Sequence, residues 1–293
     1  MDSPDVSIVI PAFNAEAHIE RAIESALASG IDRVVVVDDG STDGTGAVAD
    51  RLGCRVVTQN NQGAAFARIA GLAATKTAMV IFLDADDELN PQGFREMMSG
   101  IGDYPEWSGL QGRSLCFSSD GSTRQMGGWP EGVNLMSLLN RGICPGPAGS
   151  FLWRSDELRA AMDSSVRALW PRFGEDYEML LRVTMRGRIE QEPTVLCKYT
   201  LSGGKSAVSP FRDNVAAERI RRYYAHANGI KIRKRGLNEI QSMAHLRDAY
   251  AVPGRSHFIV KLRHILKAIQ FTPLLFPRLV LRRVARRWSL WRI

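Results

Sequence analysis

Over the first hundred residues, short wholly apolar runs alternate with longer stretches in which apolar residues recur three and four apart. That alternation constrains the fold more than any other feature, because a run without a polar face must be covered on both sides and amphipathic helices supply the cover. Strands are predicted at Val6–Ile10, Val34–Val37, Arg55–Thr58 and Met79–Leu83, with helices at Ala15–Ala28, Thr45–Leu52 and Ala64–Ala74 between them. Repeats of this kind join parallel strands by right-handed crossovers. From Asn90 to Ala148 glycines, prolines and tryptophans interrupt the pattern, leaving helices expected near Pro91–Met98 and Val133–Leu139. A strand at Ser150–Trp153, a helix at Asp176–Met185, a strand at Ile189–Tyr199 and a helix at Asp213–Ala227 follow.

In an open parallel sheet, ligands sit beyond the carboxyl ends of the strands, where loops converge and following helices present free amides. Strand one ends in Pro11-Ala12-Phe13-Asn14, strand two in Asp38-Asp39-Gly40-Ser41-Thr42-Asp43 and strand four in Asp84-Ala85-Asp86-Asp87. A dinucleotide fingerprint is excluded, since Pro11 to Glu24 contains no glycine. Lys76 and Lys205 lack the glycine-flanked setting of a P-loop.

Asp84, Asp86 and Asp87 follow an apolar run, and carboxylates two apart on an extended segment project from one face. Hard oxygen ligands there suit Mg²⁺ or Mn²⁺, which keep part of their shell for a substrate diphosphate; the competing role is a solvated acidic loop capping the Pro91 helix. Asp38 or Asp39 can accept from a pyrimidine ring N–H or a ribose hydroxyl, and the same turn also reads as a helix cap. Glu175-Asp176 opens a helix, where free backbone N–H groups keep a carboxylate ionised and able to serve as a general base. Asn61-Gln62-Gly63 and Arg68 could approach phosphate or ribose, or form an ordinary loop and cap. His18, His226, His245, His257 and His264 show no mutual ligand spacing and are read as surface or packing residues.

Together these residues resemble the family-2 inverting glycosyltransferases, whose nucleotide-binding half is the Rossmann-like GT-A fold, a mostly parallel α/β sheet flanked by helices. The matching stretches are Val6–Asn14, Val35–Asp43, Asn61–Leu72, Leu83–Asp87 and Gly174–Asp176. The resemblance implies nucleotide-sugar contacts at Pro11, Ala12, Phe13, Asn14, Asp38, Asp39, Asn61, Arg68, Asp84 and Ala85, with Pro11, Phe13 and Asp39 around a base that is commonly uridine. It implies Mn²⁺ or Mg²⁺ on Asp84 and Asp86, and Asp176 as the base that deprotonates an acceptor hydroxyl. The implied reaction passes a sugar from a UDP-sugar to a glycan or lipid-linked acceptor in surface-polysaccharide synthesis. This chain departs from the pattern at Ile69, where relatives usually carry Asn, and after Tyr199, where a further His is replaced by a segment containing Lys205. The alternatives are a non-catalytic nucleotide-sugar or glycan-binding relative and a metal-dependent nucleotidyltransferase.

Of the 38 Lys and Arg residues ten lie between Arg255 and Ile293, a stretch without Asp or Glu, leaving 28 against 31 acidic residues elsewhere. The basic character therefore belongs to the tail, where Arg282-Arg283-Val284-Ala285-Arg286-Arg287-Trp288 suits an in-plane contact with anionic lipid, the alternative being a helical subdomain packed on the catalytic core with a solvated basic face. No window there reaches the 18 or more uninterrupted apolar residues of a spanning helix. No nucleic-acid module is recognised. The expected organisation is a GT-A domain over residues 1–210 and a helical region over 211–293. Four cysteines without close pairing and an amino terminus without a basic-then-apolar leader predict a cytoplasmic address, with peripheral contact at the inner face of the membrane.

Overall fold

The computed structural model describes residues 5–103, 107–117, 122–171, 173–200, 210–251 and 258–273. The chain divides into two units, Met1–Phe117 with Arg124–Thr200, and Ser118–Thr123 with Leu201–Ile293.

The first unit is built on one sheet. Its strands are β1 (Val6–Ala12), β2 (Val34–Asp38), β3 (Arg55–Thr58), β4 (Met79–Phe82), β5 (Glu88–Leu89), β6 (Gly109–Phe117), β7 (Thr123–Met126), β8 (Phe151–Arg154) and β9 (Ile189–Thr200). They lie in the order β3-β2-β1-β4-β8-β6-β9-β5, with β7 on β6. The first four strands are parallel, as the repeats predict. The sheet then reverses, since β8 pairs antiparallel with both β4 and β6, while β6 and β9 run parallel. It is therefore a mixed sheet rather than a continuously parallel one.

Val34 to Val37 are all buried, as a run with no polar face requires. Around the sheet lie α1 (Ile19–Ala28), α2 (Thr45–Arg51), α3 (Ala64–Ala74), α4 (Pro91–Gly100), α5 (Leu135–Arg141), α6 (Ser155–Met162) and α7 (Glu175–Thr184). The core beneath α1 gathers Ile8, Ile10, Ile19, Ile23, Val36 and Ile81. On the other side, α3 approaches β1 so closely that a Cβ on Gly71 would lie 2.2 Å from Val9 Cγ1. That contact fixes the helix carrying Arg68.

The second unit contains α8 (Pro210–Ala227), α9 (Leu237–Ala251) and α10 (Phe258–Phe271). Glu218 and Arg221 form a buried i,i+3 ion pair on α8, at 2.7 Å. Ser242 of α9 donates to the Ala268 carbonyl of α10 at 2.9 Å. No helix among the described residues is long and apolar enough to cross a membrane. Lys205 and the Arg282–Trp288 segment lie outside the described residues.

Candidate active site

The loops after β1 and β2 are laced together at the carboxyl rim. Ala12 is buried, Pro11 half-buried, and Phe13 remains 47% exposed. Asn14 has φ 50°, a left-handed conformation that asparagine tolerates better than most residues. Its N–H donates to Ser41 Oγ at 3.0 Å, and its Oδ1 accepts from the Thr42 N–H at 2.8 Å. The Asp39 N–H donates to the Ala12 carbonyl at 2.8 Å, and Asp38 Oδ1 accepts from the Ser41 N–H at 2.8 Å. At the start of α2 it is Asp43 that accepts from both the amide and the hydroxyl of Thr45, and the hydroxyl bond is the main reason its carboxyl lies below its usual range. The helix-start role of this turn therefore falls to Asp43, not to Asp38 or Asp39.

Asp39 is 4% exposed and has another task. Its carboxylate accepts from Gln59 Nε2 at 2.7 Å and from the Gln62 and Gly63 N–H groups at 2.8 Å each. Gly63, with φ 91°, is the N-cap of α3, so Asp39 holds the start of that helix from the end of another strand. Asn61 is exposed in the same loop.

One turn into α3, Arg68 is 4% exposed and gathers three carboxylates. Nη2 donates to Asp84 Oδ1 at 2.7 Å, Nη1 donates to Asp176 Oδ1, and Glu175 Oε1 lies 3.7 Å from Nη1. Burial alone would lower the pKa of the guanidinium; attraction from Asp176, Asp84 and Glu175 outweighs it and raises the pKa above its ordinary value. The acidic groups at the end of β4 and the start of α7, distant in sequence, thus meet on one cation. Ile69 lines a small apolar pocket beside Arg68, with Phe82, Trp170 and Met179.

The aspartate loop is a turn, not an extended segment. The Asp87 N–H donates to the Asp84 carbonyl at 3.0 Å over Ala85-Asp86, so the same-face geometry expected of alternate strand residues does not apply. Nor does the loop cap α4, whose N-cap is Asn90. Ala85 is buried. Burial, then the charge of Asp84, raises the Asp86 carboxyl above its usual range. Asp87 is 1% exposed and is pushed up to about 9 by burial and then by Asp84 and Asp86; its Oδ2 has no hydrogen-bond partner. Negative charge crowded onto oxygen donors is the condition a hard divalent cation relieves, so Asp84 and Asp86 fit Mn²⁺ or Mg²⁺.

Two residues of this site, Glu178 and Arg182, escape a reading of sequence, and so does the environment of Glu175. Glu175 sits at the first position of α7, where helix amides favour an ionised carboxylate, yet burial and then Asp176 push it up to about 7 against the pull of Arg68. One turn on, the fully buried Glu178 accepts from the Leu169 and Trp170 N–H groups at 2.6 and 2.7 Å. Arg182 donates to the carbonyls of Ala161, Met162 and Val166 at 2.7 to 3.0 Å. Together they hold the loop that places Trp170, at φ 36°, beside Arg68. The signal available was spacing: Asp176, Glu178 and Arg182 are charged residues inside an otherwise apolar helix.

Residues 7–144 match the family model described as Glycosyl transferase family 2. The succinoglycan biosynthesis protein ExoO of Rhizobium meliloti is 30% identical over 221 residues, 71% of this chain and 59% of that protein. ExoU of the same organism is 32% identical over 62% of this chain and 58% of that protein. The chain thus spans less than two thirds of these relatives. Among solved structures, S. aureus TarS 1–349 in complex with UDP-GlcNAc aligns with a TM-score of 0.60 at 19% identity, covering 95% of this chain and 87% of that one. Glucosyl-3-phosphoglycerate synthase from Mycobacterium tuberculosis, in complex with Mn²⁺, UDP and phosphoglyceric acid, aligns at 0.54 and 20% identity over 78% and 79%. These likenesses show the GT-A type of α/β fold.

Proposed function

Because the chain belongs to glycosyl transferase family 2, we propose that it transfers a sugar from a nucleoside-diphosphate donor, a UDP-sugar first among candidates, to an acceptor hydroxyl with inversion at the anomeric carbon. The observation that carries this reading is the Arg68 cluster, which draws Asp84 and Asp176 onto one cation at the rim where Phe13 and Asn14 stand exposed.

In this reading the exposed ring of Phe13 lies against the base, and Asp38 and Asn14 offer polar groups to base and ribose. Asp39 acts by fixing the start of α3, and with it Arg68. Asp176 accepts the proton of the attacking hydroxyl, and the paired Arg68 orients its carboxylate for that transfer. Asp84 and Asp86 are the residues to hold Mn²⁺ or Mg²⁺, which supplies charge neutralisation of the departing diphosphate. The complexes of TarS with UDP-GlcNAc and of the glucosyl-3-phosphoglycerate synthase with Mn²⁺ and UDP support the donor class and the metal. The names of ExoO and ExoU, succinoglycan biosynthesis proteins, support polysaccharide synthesis as the setting, and the acceptor proposed there is a glycan or a lipid-linked glycan.

The described part of α10 supports a peripheral membrane contact. Ile259, Val260, Leu262 and Leu266 are exposed beside the cations of Lys261, Arg263 and Lys267. Cosedimentation with anionic liposomes should fall with salt and with removal of residues 255–293; equal recovery in all cases ends that part of the reading.

The test of the activity is a thermal-shift screen of nucleoside diphosphates and nucleotide sugars with Mn²⁺ or Mg²⁺, followed by assay of nucleoside diphosphate release. Selective stabilisation by one metal–nucleotide pair is expected. Release of pyrophosphate instead would identify a nucleotidyltransferase, and binding without turnover over a panel of glycan acceptors would identify a non-catalytic relative.

A further inference from the structure

Two of the histidines that show no ligand spacing in sequence meet in the second unit. His245 and Asp248 stand three apart on one face of α9, and His264 comes from α10. Each offers a ligand atom within 4.8 Å of the other two. His264 Nδ1 already lies 3.6 Å from Asp248 Oδ2, close to the ~3.4 Å between ligand atoms that ~2.1 Å bonds impose on a tetrahedral ion. The His245 ligand atom lies within 4.8 Å of both, and metal binding would draw the three together.

The donors want a partner. Nδ1 of His245 and Nδ1 of His264 are both buried, and neither makes a hydrogen bond. A buried imidazole nitrogen left unpaired is costly, and two in one cluster call for a single group that serves both. A proton shared with Asp248 could satisfy His264 alone. The remaining surroundings are those of a metal-binding histidine. The Gln241 amide lies 3.2 Å from His245 Nε2, where it can fix the ring, and Phe271 stacks on that ring at 5.7 Å.

We propose that His245, Asp248 and His264 bind one divalent transition-metal ion of the Zn²⁺ class, which clamps α9 to α10. Two imidazoles and one carboxylate select a borderline cation, in contrast to the all-oxygen donors of Asp84 and Asp86, which select Mg²⁺ or Mn²⁺. The fourth position is left for water. The ion joins two helices that the hydrogen bonds of Ser242 with Ala268 and of Thr272 with Ser242, both 2.9 Å, already hold together. Its role is structural, since a neutral-imidazole site that exists only when the two helices are docked stabilises that docking.

The experiment uses the full chain without an affinity tag, stripped with chelator, desalted and titrated with CoCl₂ and ZnCl₂. The expected result is one equivalent of Co²⁺ with the visible d–d bands of tetrahedral coordination, displacement by Zn²⁺, and an upward shift in melting temperature. His264→Gln and Asp248→Asn should lose the bands, and Gln241→Ala should weaken Co²⁺ binding about tenfold. Asp86→Ala should keep them. Absence of tetrahedral bands from the wild-type chain overturns the proposal, as does their survival in His264→Gln or their loss in Asp86→Ala. The wild-type titration decides alone if a variant fails to fold.

Discussion

Arg68 and Asp176 lie 108 positions apart, and the guanidinium of the first donates to the carboxylate of the second. The same guanidinium donates through its other terminal nitrogen to Asp84. Arg68→Met should therefore strand the acidic groups of β4 and α7 against one another. Breaking a buried pair by removing one partner typically costs about 3 to 5 kcal/mol, and partial exposure of Asp84 and Asp176 points to the lower end. Urea unfolding would measure the loss. Arg68→Lys should recover only part of it, because a single ammonium cannot fork to two carboxylates.

Asp176→Asn is expected to lower the rate of sugar transfer by roughly 10²- to 10⁴-fold, the usual worth of a general base. Nucleotide affinity should change little, because the exposed groups around Phe13 and Asn14 lie on other loops. Single-turnover transfer and calorimetric nucleotide binding separate the two quantities. Retained transfer removes Asp176 from the role of base.

Asp86→Ala carries two effects of opposite sign. Mn²⁺-dependent binding of nucleoside diphosphate should weaken, since one of the two carboxylates that would hold the ion is gone. In metal-free buffer, however, the variant should melt at a higher temperature, because burial and Asp84 disfavour the charged form of this carboxyl. Calorimetry with and without Mn²⁺ tests both, and unchanged nucleotide affinity would take Asp86 out of the metal site.

Glu175 gives the fold a pH dependence. Its carboxyl rises from an ordinary 4.5 to about 7 in the folded chain, through burial and then Asp176, with Arg68 opposing and Asp84 adding. Between those values the folded chain binds more protons than the unfolded one, so stability declines as pH rises from 4.5 through 7. Glu175→Gln should make that decline shallower, leaving the part that Asp87, pushed up to about 9, contributes over the same range. Denaturant midpoints of both proteins across this range are the measurement, and parallel curves would exclude the assignment.

The early strands and α3 were legible because a wholly apolar run such as Val34–Val37 has one stable placement, and because an apolar stripe three and four apart has another. β6 was not, since it buries Gln111 and Ser114 and carries two glycines, so no alternation marks it. The acidic rim residues were recognisable as a set, while their geometry was not. Asp39 proved to be tied to amides of the α3 loop, and Asp84 and Asp87 proved to bracket a turn that has Asp86 inside it. Arg68 joins residues whose proximity depends on the whole sheet being assembled. His245 and His264 pose the same difficulty, since only the packing of α9 on α10 brings them together.

The position of Arg68 depends in turn on a residue with no side chain. Gly71 lies one turn further along α3, and a Cβ there would stand 2.2 Å from Val9 Cγ1 and 3.1 Å from Val37 Cγ2. Both valines are fully or almost fully buried in strands whose neighbours leave them no room. Gly71→Ala must therefore push α3 outward from β1, even though alanine favours a helix by nearly 1 kcal/mol over glycine in an open position. Overpacking of this kind costs about 1 to 3 kcal/mol, so the net effect is expected to be destabilising. The displacement would also carry Arg68 away from Asp84 and Asp176, and transfer should fall by more than the loss of folded protein accounts for. Activity per folded molecule, with the folded fraction set by circular dichroism, distinguishes the two losses: if it is unchanged, the close seat of α3 on β1 does not govern the site.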